Sequence, residues 1–227
     1  MSMEKTNTKR AEFLFQRPEY VNDVCRASNV VLAMGALASR MTQEERTRNH
    51  HPDGRRENVA EHSFMLAKVS LALADEMYPW MDRGKIAIAA LGHDDVEAYV
   101  GDTPTDPIAN HDPLYKEKLE ATGLMQLAAE YQALVPRYVN DVITYEHQEE
   151  YEAQFVRIVD KMMVLVTHIP NQGHTLREHY TYEQFEKNTH AKELELLDQY
   201  PHFIEVIGLR TELALYVGKK YVRDWHS

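Results

Sequence analysis

The apolar run Ile86-Ala87-Ile88-Ala89-Ala90-Leu91-Gly92 leads directly into His93-Asp94, so the face a helix would bury here also carries an ionisable pair. A carboxylate in such a place is costly to bury unless something positive neutralises it. Asp160 poses the same problem, because Val156, Met163 and Val164 surround it at near-helical spacing. Its cationic neighbours in sequence are Arg157 and Lys161, and Lys161 is set about 100° round the helix. A fold that accepts both carboxylates must bring helices, and a cation, to a common point.

Helical periodicity runs through most of the chain. Residues Pro18 to Arg40 read as one or two helices, and Val59 to Tyr78 carries Leu66, Val69 and Leu73 on one stripe with His62 four residues ahead of it. Arg83 to Val100 repeats the pattern and stops at Gly101, where a left-handed cap is expected. Further helices are predicted over about Leu114–Leu134, Val139–His147, Glu152–His168, Tyr182–Tyr200 and Phe203–Arg223, separated by Pro136, Pro170 and Pro201. Thr42 to Asn58 is read as a polar loop, Asp102 to Pro107 as a turn-rich surface loop, and Asn171 to His174 as a further loop. No segment alternates convincingly like a strand. The expected fold class is all-α, a single-domain helical bundle over residues 1–227. Its core lies at about 25–170, with helices over 180–224 completing the core or forming an oligomer interface.

Composition narrows the function classes. No apolar run approaches the roughly 18 residues of a membrane span, and Met1 to Thr6 lacks a secretory pattern, so a cytoplasmic protein with no membrane partner is expected. A net charge of −11 argues against a long nucleic acid, whose affinity comes from cationic side chains. It leaves room for a small anion held by a metal and a few Arg. The single Cys25 excludes an internal disulfide or a Cys-based zinc site and is expected to be a small buried apolar residue. A tight metal site must therefore use His and carboxylates.

Taken singly, His62 and His93 read first as satisfied core histidines, and Asp94 and Asp160 as capping aspartates. Taken together, two imidazoles and two carboxylates from three helices form a nitrogen and oxygen field suited to one divalent ion, Co, Mn, Zn, Fe, Ni or Mg. Their order, His then His-Asp then Asp, resembles that of the HD superfamily. The local words Arg55-Arg56-Glu57-Asn58-Val59-Ala60-Glu61-His62-Ser63, His93-Asp94-Asp95-Val96-Glu97 and Gly101-Asp102-Thr103-Pro104-Thr105 look like those of bacterial HD-domain 5′-deoxynucleotidases.

That resemblance implies metal ligands at His62, His93, Asp94 and Asp160, with Glu97 orienting or deprotonating the attacking water. It implies a phosphate fork at Arg55, a sugar contact at Asp102 and pocket positions at Thr105 and Glu146. Leu37-Ala38-Ser39-Arg40-Met41 looks like the family segment that supplies a further phosphate-binding Arg, here Arg40, with Met in place of an aromatic. The implied activity is hydrolysis of a deoxynucleoside 5′-monophosphate by a homo-oligomer. A deoxynucleoside triphosphohydrolase, using loop residues Arg46 and Arg48 for the longer tail, is one alternative. A non-catalytic nucleotide-binding module is the other, and Glu97 weighs against it.

Overall fold

The computed structural model describes residues 18–102 and 113–224, and over them the chain is an all-α bundle with one small hairpin. The first helix, α1 (Pro18–Met41), leads into the antiparallel strands β1 (Glu45–His50) and β2 (Arg56–Asn58). The turn between them closes through His51 N–H to the Arg55 carbonyl at 2.8 Å, and Gly54 takes the positive φ (85°) that the turn requires. This hairpin lies where the sequence predicts a loop. Its strands show no apolar alternation because the face they cover is polar: Arg46 of β1 turns in toward Asp94.

Helix α2 (Val59–Met77) begins at Asn58, whose side chain accepts from Glu61 N–H while the Glu61 carboxylate accepts from Asn58 N–H. This reciprocal cap fixes where the helix starts, and so fixes His62 in its first turn. Asp82 caps α3 (Arg83–Gly92) through Gly84 and Lys85 N–H. The predicted continuous helix to Val100 is interrupted. After Gly92 the backbone tightens into i→i−3 bonds, Asp95 to Gly92 and Glu97 to Asp94, before the short α4 (Glu97–Val100) ends at Gly101 with φ 78°.

The remaining elements are α5 (Pro113–Tyr131), α6 (Pro136–His147), α7 (Tyr151–His168), α8 (His174–His179), α9 (Tyr182–Gln199) and α10 (Ile204–Gly218). A 3-10 turn, Pro201–Phe203, precedes α10 and a π turn, Lys219–Arg223, follows it. Helix α8 starts at His174, the last residue of the predicted Asn171–His174 loop, and carries no periodic signal in its six residues.

Helix α7 is the axis of the molecule. Phe155, Val156, Ile158, Val159, Met162, Met163 and Leu165 are all buried around it, as expected of a helix with neighbours on several sides. Leu66 of α2, Ile86 and Ala90 of α3, and Phe203, Val206 and Ile207 from the C-terminal part pack into the same core cluster. Each such side chain contributes roughly 1.5–3 kcal/mol of apolar burial. A second cluster, Leu37, Leu127, Tyr131 and Val139, ties α1 to α5 and α6. The outer part of α1 stands clear of it, so Cys25 is exposed, not buried as its small apolar character suggests. Among the described residues no helix is long and apolar enough to cross a membrane.

Candidate metal centre

His62 is buried, and its ring is held from both sides. Nδ1 lies 3.1 Å from Oε1 of the equally buried Glu57, and Nε2 lies 2.9 Å from Asp160 Oδ1. Burial and the Arg46 charge oppose protonation, yet the hydrogen bonds to Asp160 and Glu57 carry the imidazole pKa above its usual value. With Glu57 accepting from Nδ1–H, the Nε2 lone pair is the one presented to a metal.

His93 caps the end of α3, where Nδ1–H donates to the Ala90 carbonyl at 3.0 Å. Its Nε2 is buried without a hydrogen bond: Asp94 Oδ2 is 2.8 Å away but out of line, and Asp160 Oδ1 is 3.8 Å away. The His62 and His93 ring centroids are 5.1 Å apart. Ligand atoms of His62, His93 and Asp94 all lie within 4.8 Å of one another, and Asp160 faces both imidazoles through Oδ1. The orphaned Nε2 and the two-nitrogen, two-carboxylate donor set both fit a divalent transition ion.

Cations already surround the two carboxylates. Burial would raise both pKa values, but His93 and Arg46 hold Asp94 well below the carboxylate range, and Lys161 and His62 do the same for Asp160. Lys161 reaches Asp160 Oδ2 at 2.7 Å, contrary to the expectation that it points away; its long flexible stem spans the angle between adjacent helical positions. Glu97 is buried close by. Burial, then the charges of Asp94 and Asp102, push its carboxyl well up. Its relation to Asp94 follows from the tight turn, in which residues three apart eclipse one another.

The other predicted positions fall in different places. Glu146 is mostly buried beside Arg157, whose guanidinium lies 3.8 Å from it and stacks over Tyr145, and Tyr145 meets the His93 ring edge-on at 5.9 Å. Asp102 ties the end of α4 to β1, accepting Thr47 N–H at 2.6 Å. Arg55 is exposed and forms a two-pronged pair with Glu61, both contacts 2.9 Å. Arg40 donates to Glu130 at 2.7 Å and Tyr131 at 2.6 Å and stacks over Tyr99, so its donors serve the α1–α5 contact. Thr105 lies outside the described residues.

Two neighbours of the centre differ from the sequence reading: Arg46 was expected only as a cation for a triphosphate tail, and Glu57 was not expected at all. Arg46 reaches Asp94 Oδ2 with Nη1 at 2.8 Å from a strand read as loop. Glu57 stands inside the Arg55-to-Ser63 word, five residues before His62, and its burial was the missing signal.

A curated 5′-deoxynucleotidase of Saccharomyces cerevisiae is 29% identical over 113 residues, which span 48% of this chain and about half, 46%, of the yeast protein. A crystal structure from Magnetospirillum magnetotacticum, described as a predicted metal-dependent phosphohydrolase, superposes with a TM-score of 0.64 at 25% identity, covering 85% of this chain and 95% of that one. The HD-domain family itself matches residues 38–199, a span that contains His62, His93, Asp94 and Asp160, and the chain belongs to that family.

Proposed function

We propose that the chain is a metal-dependent phosphohydrolase that removes the 5′-phosphate of deoxynucleoside monophosphates. The observation that carries this reading is the convergence of His62, His93, Asp94 and Asp160 around a buried nitrogen, His93 Nε2, that makes no hydrogen bond, with a buried carboxylate, Glu97, beside it. The resemblance of the local sequence words and the yeast relative support the choice of substrate.

In this reading the four residues would hold one divalent ion, which would supply Lewis acidity toward a phosphate oxygen and lower the pKa of water. Glu97 takes the proton from the attacking water, a role for which its raised proton affinity suits it. The water oxygen forms a bond to phosphorus as the bond to the nucleoside 5′-oxygen breaks; that oxygen takes a proton from solvent water, and Glu97 returns to solvent the one it received. Arg46, beside Asp94, is the guanidinium placed to offset phosphate charge, since Arg55 is engaged by Glu61. Asp102 and Glu146 flank the centre as the candidate sugar-side contacts.

A triphosphate tail finds less support. Arg46 faces four carboxylates, Asp94, Asp160, Glu97 and Asp102, and the stretch 103–112 that follows Asp102 contains no Lys or Arg. The test is release of phosphate, pyrophosphate and triphosphate from a panel of dNMPs, NMPs and dNTPs with Co, Mn, Zn or Mg. Metal-dependent orthophosphate from dNMPs, reduced about 10²- to 10⁴-fold in Glu97→Ala and absent in Asp94→Asn, is the expected result. Triphosphate release from dNTPs would replace this reading with the other enzyme.

A further inference from the structure

The two cations at the centre hold their carboxylates differently. Lys161 Nζ sits on Asp160 Oδ2, leaving Oδ1 to face both histidines at 2.9 and 3.8 Å. Arg46 Nη1 sits instead on Asp94 Oδ2, and that same oxygen is 2.8 Å from His93 Nε2 and 3.9 Å from His62 Nε2. Lys161 thus occupies the outer oxygen of its carboxylate, whereas Arg46 occupies the one that points at the imidazoles.

Arg46 is also held incompletely. Its Nε is buried with no hydrogen-bond partner, and the nearest carboxylate recorded for it, Glu57 Oε1, is 3.9 Å away. Of its donors, Nη1 alone makes a close contact in the described structure, and that contact is to an oxygen a divalent ion would use.

We propose that Arg46 is a resident counter-ion that competes with the divalent ion for Asp94 Oδ2 and, once displaced, becomes the cation that receives the phosphate. The proposal rests on the metal-centre reading above. Its physical basis is direct: two cations drawn to one oxygen repel each other at short range in a water-poor site. Arg46 would therefore lower metal affinity even though its charge assists the reaction, while Lys161 on the outer oxygen would not.

The sign of this effect separates competition from simple support of Asp94. Titration calorimetry with Mn²⁺ and Co²⁺ should show Arg46→Met binding metal about tenfold or more tightly than the wild-type chain, with Lys161→Met unchanged or weaker. Equal or weaker binding by a folded Arg46→Met would overturn the proposal, because it would mean that Arg46 only positions Asp94.

A second measurement needs no substitution. Arginine-specific modification of the wild-type chain with phenylglyoxal, mapped by mass spectrometry, should rise at Arg46 when Mn²⁺ is added. Unchanged or reduced labelling would count against displacement. If the wild-type chain binds neither metal, the metal-centre reading itself fails; if it binds metal and hydrolyses dNMPs while Arg46→Met binds no more tightly, only the competition fails.

Discussion

Burial pushes the Glu146 carboxyl up to about 7; Arg157 and Lys116 oppose this, and Glu120 and Asp94 reinforce it. A carboxyl whose folded pKa lies above its unfolded value favours the fold while protonated in both states. Stability should therefore decline as pH rises from about 4.5 to about 7 and level off above that. Glu146→Gln should remove this decline, so that the variant gains up to about 3 kcal/mol on the wild type between pH 5 and pH 8. Urea denaturation at the two pH values reads the difference; an unchanged gap would show that Glu146 stays ionised in the fold. The convergence of His62, His93, Asp94 and Asp160 was legible because they are polar side chains in apolar helical settings, an inconsistency that sequence displays openly. Glu57 was not, and Arg46 entered only as a cation for a triphosphate tail, since a polar residue in a polar segment raises no such conflict. Arg55 and Arg40 illustrate the converse, for their motif positions say nothing about Glu61 and Glu130, which engage them.

Helix α5 crosses the turn that presents His93, Asp94 and Glu97 at Gly123, where an added Cβ would lie 2.8 Å from the Val96 carbonyl and 3.2 Å from Val96 Cβ. Gly123→Ala should therefore force the α4 turn away from α5 and cost about 1–3 kcal/mol. Gly35→Ala, in the interior of exposed α1 with nothing within 4 Å, should instead stabilise by about 0.5–1 kcal/mol through helix propensity. Parallel thermal melts of the two variants test the packing argument, which fails if both shift in the same direction. The long helices were readable because apolar residues recur with their period, and α7 plainly so, its buried residues leaving one partly exposed stripe through Arg157, Lys161 and Val164. The break after Gly92 left no trace, since a change from i→i−4 to i→i−3 bonding alters backbone geometry within an unbroken apolar pattern. The hairpin was hidden for a related reason: strand alternation is visible only when the inward face is apolar, and here it carries Arg46.

The centre draws on α2, the turn after α3, and α7, while the C-terminal helices enter the same core through Leu196, Phe203, Val206 and Ile207. A bound ion would thus cross-link elements that the core already holds together. Small metal-dependent modules unfold without their ion, but this core does not depend on the centre for its apolar burial. Arg46 and Lys161 also leave Asp94 and Asp160 partly neutralised. Stripping the metal with EDTA should therefore leave a folded, cooperative chain with a lower Tm. Readdition at about 100 times the Kd should restore roughly 2.7 kcal/mol. Asp94→Asn should lose that gain while keeping its helical circular dichroism. Differential scanning calorimetry across a metal titration is the measurement. A Tm indifferent to metal would remove the centre from the stability of the fold, and loss of the helical signal on stripping would show that the apolar core cannot stand without it.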